Sequence, residues 1–206
     1  MEIAILVYPS IRARKYLEYM KRHKKYPTSA IIMGSGEEEK LLRDMKAKVI
    51  KVPSKKFKNS MVYDAIKSLK EEVVIFTGGG IVPEELLELK RFIHIHPGIT
   101  SEYRGSTCFY YSILKENKIG MTAMFLSNKL DCGDIINTHV YDVPNNINID
   151  NEVDPELRAD MLIRTLKENK NLVSKTLEKP GKNYYVIHPV LKHIAILKVR
   201  KNGITK

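Results

Sequence analysis

Short apolar runs alternate along the first half of the chain with stretches whose apolar positions recur at helical spacing. Ile3 to Tyr8 reads as a first strand, and Ile11 to His23 as a basic helix with apolar positions at Ile11, Tyr16, Leu17 and Met20. Ala30 to Met33 is a second strand, closed by Gly34-Ser35-Gly36. Glu37 to Lys46 is a helix whose acidic start suits the positive end of the helix dipole. Lys48 to Val52 is a third strand, Ser60 to Leu69 a further helix, and Glu72 to Phe76 an unbroken apolar strand of the kind covered on both faces. Arg91 to His96 follows with period two, so His94 and His96 share one face and Ile93 and Ile95 the other. Strands alternating with helices predict an α/β fold: a Rossmann-like, doubly wound, mainly parallel sheet with right-handed crossovers.

The rhythm changes after Pro97. A loop leads to a helix over Cys108 to Lys115, then strands over Gly120 to Ser127 and Ile135 to Val143 whose short separator predicts an antiparallel hairpin. Asn145 to Asn151 reads as a polar surface connection. Asp154-Pro155 reads as the cap and first position of a long helix, Glu156 to Leu177, ended by Pro180-Gly181. The tail from Tyr184 to Val199 reads as one or two final strands broken at Pro189, a segment that would suit pairing with a second copy in a homo-oligomer. No repeat, low-complexity tract or linker interrupts the chain, so residues 1–206 read as one domain.

Composition narrows the class. The 206 residues are 43% hydrophobic and 29% charged, the balance of a globular domain. No apolar run approaches the ~20 residues of a membrane span, and the N-terminal run lacks a signal peptide's basic start and cleavage site. Only two cysteines are present, Cys108 and Cys132, which predicts a reducing, cytoplasmic setting and packing roles for both. The net charge of +11 raises nucleic acid as a partner, but the lysines are spread along the chain, which favours solvated faces.

Candidate chemistry gathers between Phe92 and Ile135. Two imidazoles on one face at the end of a buried strand need partners, and the end of such a strand is where open α/β sheets place ligands. His94 and His96 read as satisfied core residues, as catalytic groups, or with a carboxylate as a zinc pair. Asp131 lies in the turn Leu130-Asp131-Cys132-Gly133-Asp134, and Arg104 precedes Gly105 where it can bind an anion or cap a turn. Thr77-Gly78-Gly79-Gly80 lacks the spacing of a dinucleotide fingerprint or a P-loop and reads as a plain turn.

In order, Gly79-Gly80-Ile81-Val82-Pro83, His94-x-His96-Pro97-Gly98, Tyr103-Arg104-Gly105, Gly120-x-Thr122 and Leu130 to Ile136 resemble the folate-dependent formyltransferases. That family includes glycinamide ribonucleotide transformylase, the catalytic domain of methionyl-tRNA formyltransferase and the sugar N-formyltransferases. The resemblance is strongest over residues 72–143 and implies the formyltransferase fold. It implies transfer of a formyl group from 10-formyltetrahydrofolate, as co-substrate, to an amine. It also implies a catalytic His96 and Asp131, with His94 where the family has Asn, and a folate pocket around Gly80, Ile81, Val82 and Pro83 and the turn Asn128 to Asp134, with Leu130.

Amine attack creates an alkoxide and an ammonium together, so the site needs a donor for the oxygen and a route for the proton. His94 can donate one N–H, His96 can hold the oxygen, and Asp131 can take the proton while favouring a protonated His96. The loop Gly98-Ile99-Thr100-Ser101 departs from the family pattern, as does Tyr8-Pro9-Ser10-Ile11-Arg12 after the first strand. The expected acceptor is therefore a small amine such as an amino sugar, its anionic part met by Arg12, Arg14 and Arg104, with Gly105 beside them and no room for a tRNA-gripping domain. Three other readings stay open: a formyl-folate hydrolase, a metal-dependent hydrolase on the His-x-His pair, and a non-catalytic folate- or nucleic-acid-binding module.

Overall fold

A computed structural model describes residues 2–204. Its elements are β1 (Ala4–Val7), α1 (Ile11–Arg22), β2 (Ser29–Met33), α2 (Glu38–Asp44), β3 (Lys48–Val52), α3 (Ser60–Lys67), β4 (Val73–Phe76), α4 (Glu84–Leu89), β5 (Arg91–His96), β6 (Tyr103–Gly105), α5 (Cys108–Glu116), β7 (Lys118–Phe125), β8 (Ile135–Asp142), α6 (Asp154–Glu168), β9 (Lys182–Tyr184) and α7 (Pro189–Ile204). Seven strands form one sheet in the order β3-β2-β1-β4-β5-β7-β8. The first five run parallel, while β7 is antiparallel to both β5 and β8. The doubly wound sheet with its antiparallel hairpin is therefore as the alternating pattern predicts.

Burial explains why these runs are strands. Every residue of β1 and β4 is buried, because helices cover both faces. One face packs Ile5, Val7, Ile93 and Ile95 against Tyr16, Leu17 and Met20 of α1 and Met161 and Leu162 of α6. The other packs Leu6, Phe76 and Phe92 against Val62 and Ile66 of α3 and Leu86 of α4. Alternation along β5 decides which side each residue serves.

Three expectations change. The helix predicted over Glu156 to Leu177 starts at Asp154 and stops at Glu168. Asn169 ends it: its side chain bonds both the N–H and the C=O of Val173, and also the Ile136 carbonyl, and an amide that competes for backbone partners favours a turn over further helix. The connection read as wholly polar carries a wide helical turn, Ile149–Val153, with Ile149 and Val153 buried. The tail read as strands forms only the three-residue β9 and then α7. Pro189 is the first residue of α7, where a missing N–H is harmless, while Ala195 and Val199, four apart, are buried among the described side chains of that helix. The aliphatic run satisfied both periods, and packing chose the helical one.

Candidate functional site

The strand order reverses around β1 and β4, and a cavity of about 660 Å³ opens beyond the C-terminal ends of β1, β4 and β5. Its walls come from distant stretches: Arg12, Gly79 to Val82, His94 and His96, Gly105 to Thr107, Leu126 to Asp131, Asp154 and Arg158, and Asn183 to Val186. Strand β9 pairs with β6, Arg104 opposite Asn183, and so brings the last of these into place.

His96 is 2% exposed. Its Nε2 lies 3.1 Å from the Tyr103 carbonyl and its Nδ1 3.4 Å from Asp131 Oδ2. A neutral ring has a single N–H for two acceptors, whereas an imidazolium satisfies both. Burial nevertheless pushes the ring down to a pKa of about 4; the Asp131 carboxylate opposes this, and Arg158 adds to it. The protonated resting imidazole expected from a neighbouring carboxylate is thus corrected to a neutral one, because desolvation outweighs the pair. His94 is also held well below its usual value, by burial first and then by Arg158 and Arg12. Its Nδ1 is shielded from solvent and has no partner.

Asp131 is positioned by its turn. Its backbone is left-handed (φ 48°), a conformation that Asp tolerates better than most residues, and its Oδ2 accepts the Gly105 N–H at 2.8 Å. Gly133 lets the turn close against β7: a Cβ there would sit 1.7 Å from the Phe125 carbonyl oxygen. Thr122, opposite His96 in the register, donates to the Gly98 carbonyl at 2.7 Å and accepts from the Thr100 N–H at 3.3 Å. The Gly120-x-Thr122 block is therefore a clamp on the turn behind the histidines.

Several expected site residues stand elsewhere. Arg104 spends its guanidinium on Gly181 O at 2.8 Å, Leu130 O at 3.1 Å and Cys132 Sγ at 2.7 Å, so it ties the Asp131 turn to the C-terminal segment instead of facing the cavity. Arg14 pairs with Glu37 at 2.5 Å on the surface. Pro83 precedes α4 and faces a second groove with Phe57 and Tyr63. Asp134 is exposed, and its carbonyl accepts from the Phe125 N–H at 2.9 Å to finish the hairpin. Cys108 is buried, which pushes its thiol up to about 12. Gly80, Ile81, Val82, Asn128, Leu130, Gly105 and Arg12 do line the cavity.

Sequence reasoning missed Asp154 and Arg158. Asp154 Oδ1 accepts from Arg158 Nε at 2.7 Å, Arg158 Nη1 donates to the Ile95 carbonyl at 2.5 Å, and Arg12 Nη1 donates to the Gly78 carbonyl at 3.2 Å. An acid and a base four residues apart on a helix ordinarily mark a solvated pair. Only the burial of Arg158, 6% exposed, sets this one apart. Among the described residues, no group of three or more His, Cys, Asp or Glu side chains is arranged to hold a metal ion.

Comparison with known proteins matches this architecture. A methionyl-tRNA formyltransferase of Clostridioides difficile is 32% identical over 118 residues, which is 53% of this chain and 36% of that protein. The chain thus spans about a third of the length of the curated relatives it matches. HypX from Aquifex aeolicus, solved in complex with tetrahydrofolic acid, superposes with a TM-score of 0.60 at 15% identity, covering 97% of this chain and 34% of that one. A sugar N-formyltransferase from a Shewanella species superposes with a TM-score of 0.61 at 18% identity, covering 97% of this chain and 87% of that one. The family model described as formyl transferase matches residues 18–155, two thirds of the sequence, and the chain belongs to that family.

Proposed function

We propose that residues 1–206 act as one formyltransferase domain that moves a formyl group from 10-formyltetrahydrofolate to the amine of a small acceptor. The observation that carries this reading is the approach of His96 Nδ1 to within 3.4 Å of Asp131 Oδ2 at the wall of a cavity of about 660 Å³. Family membership supports the reaction class, and the tetrahydrofolic acid held by the HypX neighbour supports the donor. The rim at Gly79, Gly80, Ile81 and Val82 offers open backbone and apolar surface to a pterin, and Leu126 to Leu130 continue the same lining. A Cβ at Gly79 or Gly80 would meet nothing within 4 Å, so the glycines leave the backbone free to approach a ring.

The residues then divide the chemistry. The amine attacks the formyl carbon, its lone pair forming the new C–N bond as the carbonyl electrons move to oxygen. His94, neutral, donates an N–H to that oxygen. Its placement costs little reorganisation when charge develops. The amine proton passes to the His96–Asp131 pair, whose two facing acceptors suit the imidazolium that forms. The same proton then goes to the departing folate nitrogen as its bond to the formyl carbon breaks, giving a formamide and tetrahydrofolate.

A second reading has its own support: the curated relatives are methionyl-tRNA formyltransferases, and a net charge of +11 suits a polyanion. One assay separates the two. Purified protein is mixed with 10-formyltetrahydrofolate and either charged initiator tRNA or a panel of amino sugars and other small amines, and tetrahydrofolate release is followed. Release with a small amine supports the proposal. Release with tRNA alone replaces the acceptor, and formate with no formylated amine points to hydrolysis. A failure to bind a stable folate analogue ends the folate reading.

A further inference from the structure

We infer that Arg12 and Arg158 form an anion subsite beside His94, so that the acceptor amine carries a carboxylate or phosphate a few bonds from its nitrogen. The inference rests on the formyl-transfer reading and names the class of acceptor it would take.

Arg12 follows β1 and Arg158 lies in α6, yet both line the cavity, and the one carboxylate between them is Asp154. Its Oδ1 is 2.7 Å from Arg158 Nε and its Oδ2 3.9 Å from Arg12 Nη2. These two cations and one anion leave a single positive charge in excess at this corner of the cavity. The other carboxylates are engaged elsewhere. Asp131 faces His96 and the Gly105 N–H, and Asp150 is taken by Lys192 at 2.5 Å and the Tyr110 hydroxyl at 2.7 Å. The two imidazoles contribute no charge when neutral, so Asp131 keeps its own negative charge, which Lys129 at the rim offsets across the cavity; the positive excess is local to Arg12 and Arg158.

Unmet bonding points the same way. Arg12 Nε is shielded from solvent without a hydrogen-bond partner. The Arg12 guanidinium is pushed below its usual value chiefly by Arg158, the mark of two like charges only partly compensated. A buried excess charge is costly until an opposite one arrives, and a guanidinium meets a planar or tetrahedral oxyanion with directed bonds. Because Arg158 Nη1 rests on the carbonyl of Ile95, the residue after His94, and both arginines line the same cavity as His94, the anion would sit next to the group that meets the formyl oxygen. That places it near the reacting amine and not at a distant handle. Arg14 and Arg104, the other cations suggested by sequence, are bonded elsewhere and leave the role open.

The test pairs amines that differ in the anion: glycine against glycinamide, and phosphoethanolamine against ethanolamine. Each is offered with 10-formyltetrahydrofolate to the wild type and to Arg12→Gln, and kcat/KM is measured. We expect the anionic member's advantage to shrink about tenfold or more in Arg12→Gln, the loss of one charged hydrogen bond. Loss in the glycine pair identifies a carboxylate, and loss in the phosphoethanolamine pair a phosphate. A second measurement needs no turnover: melting temperature with acetate or inorganic phosphate against sodium chloride at equal ionic strength. Stabilisation of the wild type that Arg12→Gln loses supports the subsite even if no amine is formylated, in which case the transfer reading alone falls. Equal preference in both proteins, or no stabilisation by either anion, overturns the subsite.

Discussion

Asp131 can be changed without disturbing what holds it. Asparagine also tolerates a left-handed backbone, and its amide oxygen can still accept the Gly105 N–H. Asp131→Asn is therefore expected to fold normally and bind a folate analogue as the wild type does, while turnover falls by roughly 10²–10⁴-fold, the usual worth of a positioned acid–base group. Calorimetry and steady-state kinetics on one preparation would check both halves. The buried imidazoles make a separate prediction. His96 has a folded pKa near 4 against an ordinary value of 6.5, so the unfolded chain binds the extra proton first as pH falls. Stability should be full above pH 6.5 and decline between there and 4, by about 3 kcal/mol from this residue. Urea melts from pH 7 to 4 should show that slope, and His96→Asn should reduce it, leaving the part that His94 supplies. The two histidines and Asp131 were legible as a spacing. Their protonation was not, because it depends on burial and on Arg158, sixty-two residues beyond His96 in the sequence.

The turns at the ends of β5 and β7 hold the site as units, and each has a weak point. Gly133→Ala would drive a methyl group into the Phe125 carbonyl, so the turn must open. We expect a loss of about 2–4 kcal/mol together with activity, since the same turn carries Asp131. Thr122→Val keeps the shape but strips the Gly98 and Thr100 bonds. It should cost about 1–3 kcal/mol by denaturant titration, the usual penalty for a buried group left unpaired. Strands and helices that bury a single clear face were readable in the chain. The elements misread were those where two periods fit. The residues Val190, Leu191, Ile194, Ala195 and Val199 suit a strand as well as a helix, and only contact with α5 makes Ala195 and Val199 the buried pair. The early end of α6 depended on Asn169 finding Val173 and Ile136, a tertiary choice with no local mark.

At the scale of the molecule, the cavity is a meeting of segments far apart in sequence, and its last wall comes from Asn183 to Val186. Tyr184 stacks on Tyr103 with ring centroids 5.4 Å apart and takes a bond from Lys115 at 2.7 Å, while the Tyr185 carbonyl accepts from Thr107 and Tyr111. Ending the chain at Gly181 should uncover α5 and lower the melting temperature by several degrees, about 2–4 °C for each kcal/mol lost. Differential scanning calorimetry would register it. The pairing of β9 with β6 carries one more consequence. While the chain is still being made on a ribosome, His96 and Asp131 can emerge and meet before Tyr184 has left the exit tunnel. The cavity beside them would then stay without one wall until that late strand docks on β6.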